Sequence, residues 1–406
     1  MSNQNPRVLL LTGSPPGERG VGQIIVREIY QHFPPQNLFC FATLTRHEEY
    51  RKPDELQDAV VEVSHRRFEH QFRPFGRLAA PVTQRLSYWL NFRRHCNRLA
   101  KQAIEFGRKH KCELVFSILE NATTMQITDP VAVDLGVPKH VLVWDAPDYI
   151  GSKPGAMPHD LRSLNDAFST SMSNADRLAV VSDPMARRYK SEFGLESVML
   201  RHVASPVKRD QRRNATRDDT GPFVIGFAGS VTAKPQLDLL QRALDQLGWQ
   251  IEGREIRLDL YGLRFVMQSR CARNVRYCGY RTVKETVQAL AETADVLFMP
   301  QPFDKQSASF TELSFPTKLS TYFAARRPIL LLSPEQSSLG EFIQKHPFGT
   351  WCRTMEVEPL LSSLTSILTD AELAESTIQC IDELLENSFS LGHFRTQVHR
   401  FLSLNQ

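Results

Sequence analysis

The strongest constraint on this chain is a grammar that it uses twice. An apolar run, Arg7-Val-Leu-Leu-Leu-Thr12, leads into a glycine- and proline-rich turn, Gly13-Ser-Pro-Pro-Gly17-Glu-Arg-Gly20-Val-Gly22, and then an amphipathic helix over about 22–32. The order returns at Phe223-Val-Ile-Gly-Phe-Ala228, with Gly229-Ser230 as the turn and a helix through 235–247. A continuous apolar run marks a strand covered on both faces; such strands lie parallel and need helical crossovers. Each half is therefore expected to be α/β, a doubly wound parallel sheet.

Further strand-like runs fall at 38–43, 113–119, 140–144, 177–181 and 197–201 in the first half. In the second they fall at 256–261, 275–277, 295–299 and 328–332, with helices over 282–293 and 316–325 and a helical tail from Glu356. Between the halves, VKRDQRRNATRDDTGP (207–222) is polar and nearly free of large apolar residues, a linker or a solvated insertion.

Composition narrows the function classes. The chain has 406 residues, enough for two or three domains, and Lys+Arg 49 against Asp+Glu 45 is too balanced for a dedicated nucleic-acid binder. Seven scattered cysteines with no C-x-x-C argue for reduced thiols in a cytosolic chain rather than for disulfides or a zinc knuckle. The histidines form no H-x-x-x-H or H-E-x-x-H pair, so no metal site is expected. No apolar stretch reaches the roughly 18 residues of a membrane span. The expectation is a soluble cytoplasmic protein, at most peripheral on the inner face of a membrane.

One segment departs from this balance. From Arg51 to Lys111 there are 14 Lys/Arg against 6 Asp/Glu, interleaved with aromatics such as Phe68, Phe72, Phe75, Tyr88, Trp89 and Phe92. On helices this pattern suits an anionic lipid surface or an acidic acceptor; it equally suits a solvated face over an apolar core.

Several residues carry candidate chemistry. Neither glycine turn has G-x-G-x-x-G or G-K-[ST] spacing, which disfavours a nicotinamide-dependent oxidoreductase and a phosphate-binding P-loop. Ser314-Phe-Pro-Thr-Lys318 follows a strand's carboxyl end, with Ser314 at or near a helix cap and Pro316 in the first turn. A lysine beside helix-end N–H groups can hold an anion. Gly229-Ser230-Val-Thr-Ala-Lys234 repeats the logic. Asp145 and Asp148, in WDAPDY, either face a cleft as partners for an acceptor hydroxyl or form a local turn. Glu120-Asn121, after LVFSIL, is a further carboxylate candidate.

The ordered succession IGFAGSVTAKP, IRLDLYG, NVRYCGY, TADVLFMP and SFPTKLSTYFAARRPILLLS resembles the nucleotide-binding domain of GT-B fold glycosyltransferases, in particular the retaining family 4-like group. The opening strand, ADRLAVVSDPMARRYKSEFG and VMLRHVASPV agree in the first half. The resemblance implies two facing Rossmann-like domains: residues 1–205 on the acceptor side, a linker at 206–222, a nucleotide-sugar domain at 223–385, and a helix at 386–406 returning to the first domain. It implies sugar transfer from a UDP- or GDP-sugar to a glycan or lipid-linked acceptor, as in cell-surface polysaccharide synthesis, with no cofactor beyond that co-substrate and no metal.

By the resemblance, Gly20 and Gly22 lie near the sugar and phosphates, while Gly229, Ser230 and Lys234 contact the diphosphate. Tyr277 to Tyr280 lie beside the base, and Ser314, Thr317 and Lys318 at the diphosphate and ribose. Many relatives carry two glutamates eight positions apart; here those positions are Leu313 and Thr321, with Glu312 a neighbouring substitute. The missing pair also suits a non-catalytic nucleotide-sugar-binding protein on the same fold.

Overall fold

A computed structural model of the chain describes all residues except 1–4, 19, 35, 46–47, 67–91, 152–157, 210–220, 263, 267, 269–273 and 405–406. It divides into two compact units, Met1–Leu200 with Arg395–Gln406, and Arg201–Phe394.

The first unit holds strands β1 (Val8–Thr12), β2 (Leu38–Thr45), β3 (Val60–Arg66), β4 (Leu114–Ile118), β5 (Lys139–Val143), β6 (Arg177–Val180) and β7 (Ser197–Met199). They form one sheet in the order β3-β2-β1-β4-β5-β6-β7, every pairing parallel. Val8, Leu9, Leu10 and Leu11 of β1 are fully buried, as a central strand covered on both faces requires. From the tail, Phe401 packs edge-on to Phe116 of β4 at 5.3 Å between ring centroids.

The second unit holds β8 (Phe223–Ala228), β9 (Gln250–Ile251), β10 (Arg254–Tyr261), β11 (Val275–Gly279), β12 (Val296–Pro300), β13 (Ile329–Leu332) and β14 (Gly349–Cys352). The order is β11-β10-β8-β12-β13-β14, all parallel, with β9 added antiparallel to β10. Leu237, Leu240 and Leu244 on the helix Lys234–Gln246 and Leu360 and Leu364 on the helix Val357–Thr369 pack with Ile225, Leu258, Phe298 and Leu330 in one core. Each fully buried aliphatic side chain contributes roughly 1.5–3 kcal/mol.

In each sheet the chain direction across the sheet reverses once, between β1 and β4 and between β8 and β12. The strands' carboxyl ends part there, and open α/β sheets take their ligands at that crevice. Both doubly wound sheets expected from the sequence are present, with differences in detail. Strands β3, β9 and β14 stand where none was expected. The helix Ala122–Leu135 runs through Pro130. The helix expected from Pro316 begins at Lys318 and ends at Ala324, and Ser314 caps the carboxyl end of the preceding helix, Ala308–Leu313, instead of opening the next. Leu319 and Ser320 donate to the carbonyls of Pro316 and Thr317, so the turn into Lys318 is a tight i→i+3 one.

Candidate functional site

In the second unit the β8–β12 ladder holds at Val296–Ile225 and Leu297–Gly226 and then stops. Beyond that point the gap is spanned by a side chain. The Tyr322 hydroxyl accepts from the backbone N–H of Ala228 (3.0 Å) and donates to the carbonyl of Phe298 (3.1 Å). Tyr322 is fully buried, which pushes its phenol well above the ordinary range, so it stays neutral. It lies on the same helix as Lys318, one turn on, and so ties that helix to the crevice.

Lys318 reaches the mouth of the crevice. Its ammonium donates to the carbonyl of Ser230 (3.1 Å) and stands 4.5 Å from the ring centroid of Phe227. The side chain is half-buried, and desolvation of the ammonium lowers its pKa to about 8. Among the described residues no carboxylate pairs with it. Gly229, with φ 95°, turns the chain immediately after β8, and a Cβ there would come 3.8 Å from Lys318 Cε. A side chain would be strained in that left-handed region, so glycine lets the Ser230 carbonyl approach the ammonium.

The other second-unit candidates are placed as follows. Lys234 opens its helix paired with Asp238 across one turn, so its charge is already engaged. Ser230 and Glu312 are exposed, and Thr317 and Thr321 are half-buried. Ser314 is buried, its carbonyl accepting from the Ser338 hydroxyl. Tyr277 is tied down by its hydroxyl's bond to the Phe265 carbonyl (2.7 Å). Tyr280, just beyond β11, is 72% exposed, an aromatic face open to solvent.

The first unit's crevice is bridged as well, by Glu120. Its Oε1 accepts from the Thr12 hydroxyl and the Gly13 N–H, both at 2.6 Å, and its Oε2 from the Ser14 hydroxyl at 2.8 Å. Burial raises its pKa; those hydrogen bonds and the charge of Arg66 pull the other way. A Cβ on Gly22 would meet Ser14 Oγ at 2.4 Å and Glu120 Oε2 at 3.4 Å, so only glycine fits where the helix Val21–Gln31 passes this cluster. Gly20 precedes that helix with φ 82° and is exposed. Asn121 caps the helix Ala122–Leu135 by accepting from the Thr124 N–H (2.9 Å); its buried amide nitrogen has no partner among the described residues.

Asp145 lies in the bend after β5. Asp148 is exposed on the short helix Pro147–Gly151, where it accepts from Asn165 (3.3 Å). Both follow the carboxyl end of β5, one strand beyond the crevice. Among the described residues no group of three His, Cys, Asp or Glu could hold a metal ion, and no helix is long and apolar enough to cross a membrane. Much of the basic segment, residues 67–91 with Phe68, Phe75 and Trp89, lies outside the described residues. Its continuation, the helix Arg93–Lys109, buries Cys96, Leu99, Ala103 and Phe106 and exposes Arg93, Arg94, Arg98, Lys101, Arg108 and Lys109.

No family model and no curated protein sequence matches the chain. Solved structures do. A sucrose-phosphate synthase from Thermosynechococcus elongatus matches at TM-score 0.68 and 12% identity, over 98% of each chain. HepE of Anabaena, in complex with UDP and glucose, matches at TM-score 0.61 and 12% identity, over 98% of this chain and 99% of its own. The lipopolysaccharide outer core galactosyltransferase WaaB, in apo form, matches at TM-score 0.60 and 11% identity over the same shares. At such identities the likeness is one of fold: the chain has the two Rossmann-like α/β domains of the GT-B glycosyltransferase fold.

Proposed function

We propose that the chain is a glycosyltransferase that takes a sugar from a nucleoside diphosphate sugar and passes it to a glycan or lipid-linked acceptor. The observation that carries this reading is Lys318, a desolvated ammonium with no ion-pair partner among the described residues, at the switch point of the second sheet. A diphosphate supplies the anion that it lacks. The fold it shares with UDP- and UDP-glucose-bound HepE supports UDP as the first nucleoside diphosphate to try, with GDP the alternative.

In the transfer, the bond from the sugar's anomeric carbon to the diphosphate oxygen breaks, a bond to the acceptor oxygen forms, and the acceptor's proton is released. Charge grows on the leaving diphosphate. In this reading Lys318 and the Ser230 turn meet it, as electrostatic stabilisation requires, and the proposal needs no metal. Tyr280 offers a ring face to a base, and Glu312, Ser314, Thr317 and Thr321 are the nearby groups for ribose. Gly20 and Gly22 are the first unit's candidates for the sugar, and Asp145 and Asp148 its candidate carboxylates for the acceptor. Retention of configuration, a role in cell-surface polysaccharide synthesis, and cytoplasmic work at the inner membrane face belong to the same reading.

Calorimetric titration with UDP and GDP, followed by incubation with UDP- and GDP-sugars, tests it. Binding of one diphosphate and consumption of its sugar form are expected; no binding of either removes the reading. The buried Leu313 and the uncharged Thr321 favour one second reading, a nucleotide-sugar-binding protein without turnover. Binding without consumption for any acceptor extract would select it.

A further inference from the structure

The first unit treats its glycine turn in an unusual way. A turn following β1 at a switch point, with a free backbone N–H and flanking hydroxyls, is built to hold an external anion. Here those donors are taken from within. The Gly13 N–H and the Thr12 and Ser14 hydroxyls all point at one carboxylate, which arrives from a residue 107 positions away in sequence from Gly13. We propose that Glu120 is a positioning residue, an internal anion that crosses the β1/β4 crevice and holds Thr12, Gly13 and Ser14 in the conformation that turnover requires. The proposal rests on the transferase reading for that turnover. The clamp itself rests on the geometry alone.

Three observations support it. The carboxylate uses both oxygens, and its three donors lie on three successive residues, so it fixes the backbone direction through the turn. Gly13 and Gly22 enclose it closely: a Cβ on Gly13 would lie 3.3 Å from Glu120 Cδ and 2.1 Å from Asn121 Nδ2. Among the described residues, the charged and titratable groups facing it are Arg66 and Cys40, whose thiol burial keeps protonated. A charge-assisted set of this kind is stronger than neutral bonds and loses its geometry if the anion is removed.

The test uses the full chain, with UDP-glucose and formate as probes. Glu120→Ala leaves the Thr12, Gly13 and Ser14 donors around a carboxylate-sized space. Turnover of UDP-glucose should fall about 100-fold, the cost of a misplaced positioning element, while UDP affinity is unchanged because Lys318 is untouched. Formate should restore turnover in Glu120→Ala and slow amide exchange across residues 12–22, with no effect on wild type. Glu120→Gln, which fits without a cavity, should retain intermediate turnover and lose the acid limb of the wild-type pH profile.

Wild-type turnover in Glu120→Ala, or parallel losses of turnover and UDP affinity that formate does not reverse, would overturn the proposal. Should Glu120→Ala fail to fold, the Glu120→Gln profile decides: an unchanged acid limb overturns it. If wild type neither binds UDP nor consumes UDP-glucose, the transferase reading for that donor falls by itself. Amide exchange then settles the clamp, and equal rates in wild type and Glu120→Ala overturn it.

Discussion

Lys318 rests over Phe227, its ammonium 4.5 Å from the ring centroid, with the Ser230 carbonyl as its hydrogen-bond acceptor. A cation held by a π face and a carbonyl is oriented without being neutralised. That distinguishes it from Lys234, which spends its charge on Asp238 within its own helix.

Replacing Lys318 with Ala should therefore weaken nucleoside diphosphate binding by ~1.5–3 kcal/mol, the range for hydrogen bonds to charged groups. Calorimetry on the folded variant measures it. The lowered pKa adds a pH signature. The free protein loses this charge as pH rises through about 8, so diphosphate affinity should decline above that pH in wild type and stay level in Lys318→Arg. Stability runs the opposite way. The folded state binds fewer protons than the unfolded between about 8 and 10.5, so the desolvation penalty is relieved as pH climbs through that window. Equal affinity of wild type and Lys318→Ala would remove Lys318 from the site.

Tyr322→Phe isolates the wedge between β8 and β12. The variant keeps the ring and deletes the hydroxyl, leaving the Ala228 N–H and the Phe298 carbonyl without their partner. Leaving buried polar groups unsatisfied costs about 1–3 kcal/mol, which urea unfolding should show as a lower midpoint at constant slope. Diphosphate affinity should fall with it, since the helix that carries Lys318 loses its tie to the sheet. A variant with unchanged stability would show that the strands close without the hydroxyl.

Much of this architecture was legible in the sequence because central parallel strands are apolar without interruption: 7–12, 223–228 and 328–332 announce themselves. The edges do not. In β3, Glu62, His65 and Arg66 are half-buried or exposed, so an edge strand reads as a charged segment. The helix Ala122–Leu135 hides behind Pro130, which lacks a backbone N–H and so reads in sequence as a helix breaker. Among the residues that line the second unit's crevice, Lys318, Gly229 and Ser230 were visible through local spacing. Tyr322 was visible only as an aromatic in a helix, and Glu120 only as a carboxylate after a strand. Their roles depend on partners in distant strands, Ala228 with Phe298 and Thr12 with Ser14, which no local pattern encodes.

Glu120 gives a pH prediction that is independent of any ligand. Its carboxyl pKa is raised in the folded state, chiefly by burial, so between the unfolded and folded values the native chain holds the extra proton. By linkage, the contribution is fully present below the unfolded value and is lost as pH rises through the folded one. Wild type should gain stability relative to Glu120→Gln on acidification from neutral pH, measured as the difference between their melting temperatures across pH 4–7. A constant difference would show that the three hydrogen bonds hold the carboxyl at its ordinary value.

The last prediction concerns the helix Arg93–Lys109. Its apolar stripe is occupied by the core of the first unit, so any membrane contact must come from the charged face that it exposes. Arg93, Arg94, Arg98 and Lys101 lie on that face over the first turns, with Glu105 the nearest acidic residue on the helix. Each exposed cation near an anionic surface contributes about 1 kcal/mol, within a Debye length of roughly 8–10 Å at moderate salt. The chain should co-sediment with vesicles containing anionic lipid at low ionic strength, release as salt rises, and ignore neutral vesicles. Reversing Arg93 and Arg94 to Glu should exchange two attractions for two repulsions and abolish the co-sedimentation. UDP affinity should be untouched, because Lys318 and Ser230 belong to the other unit. If wild type shows no preference for anionic vesicles at low salt, the basic face is a solvated surface and the peripheral-membrane reading is removed with it.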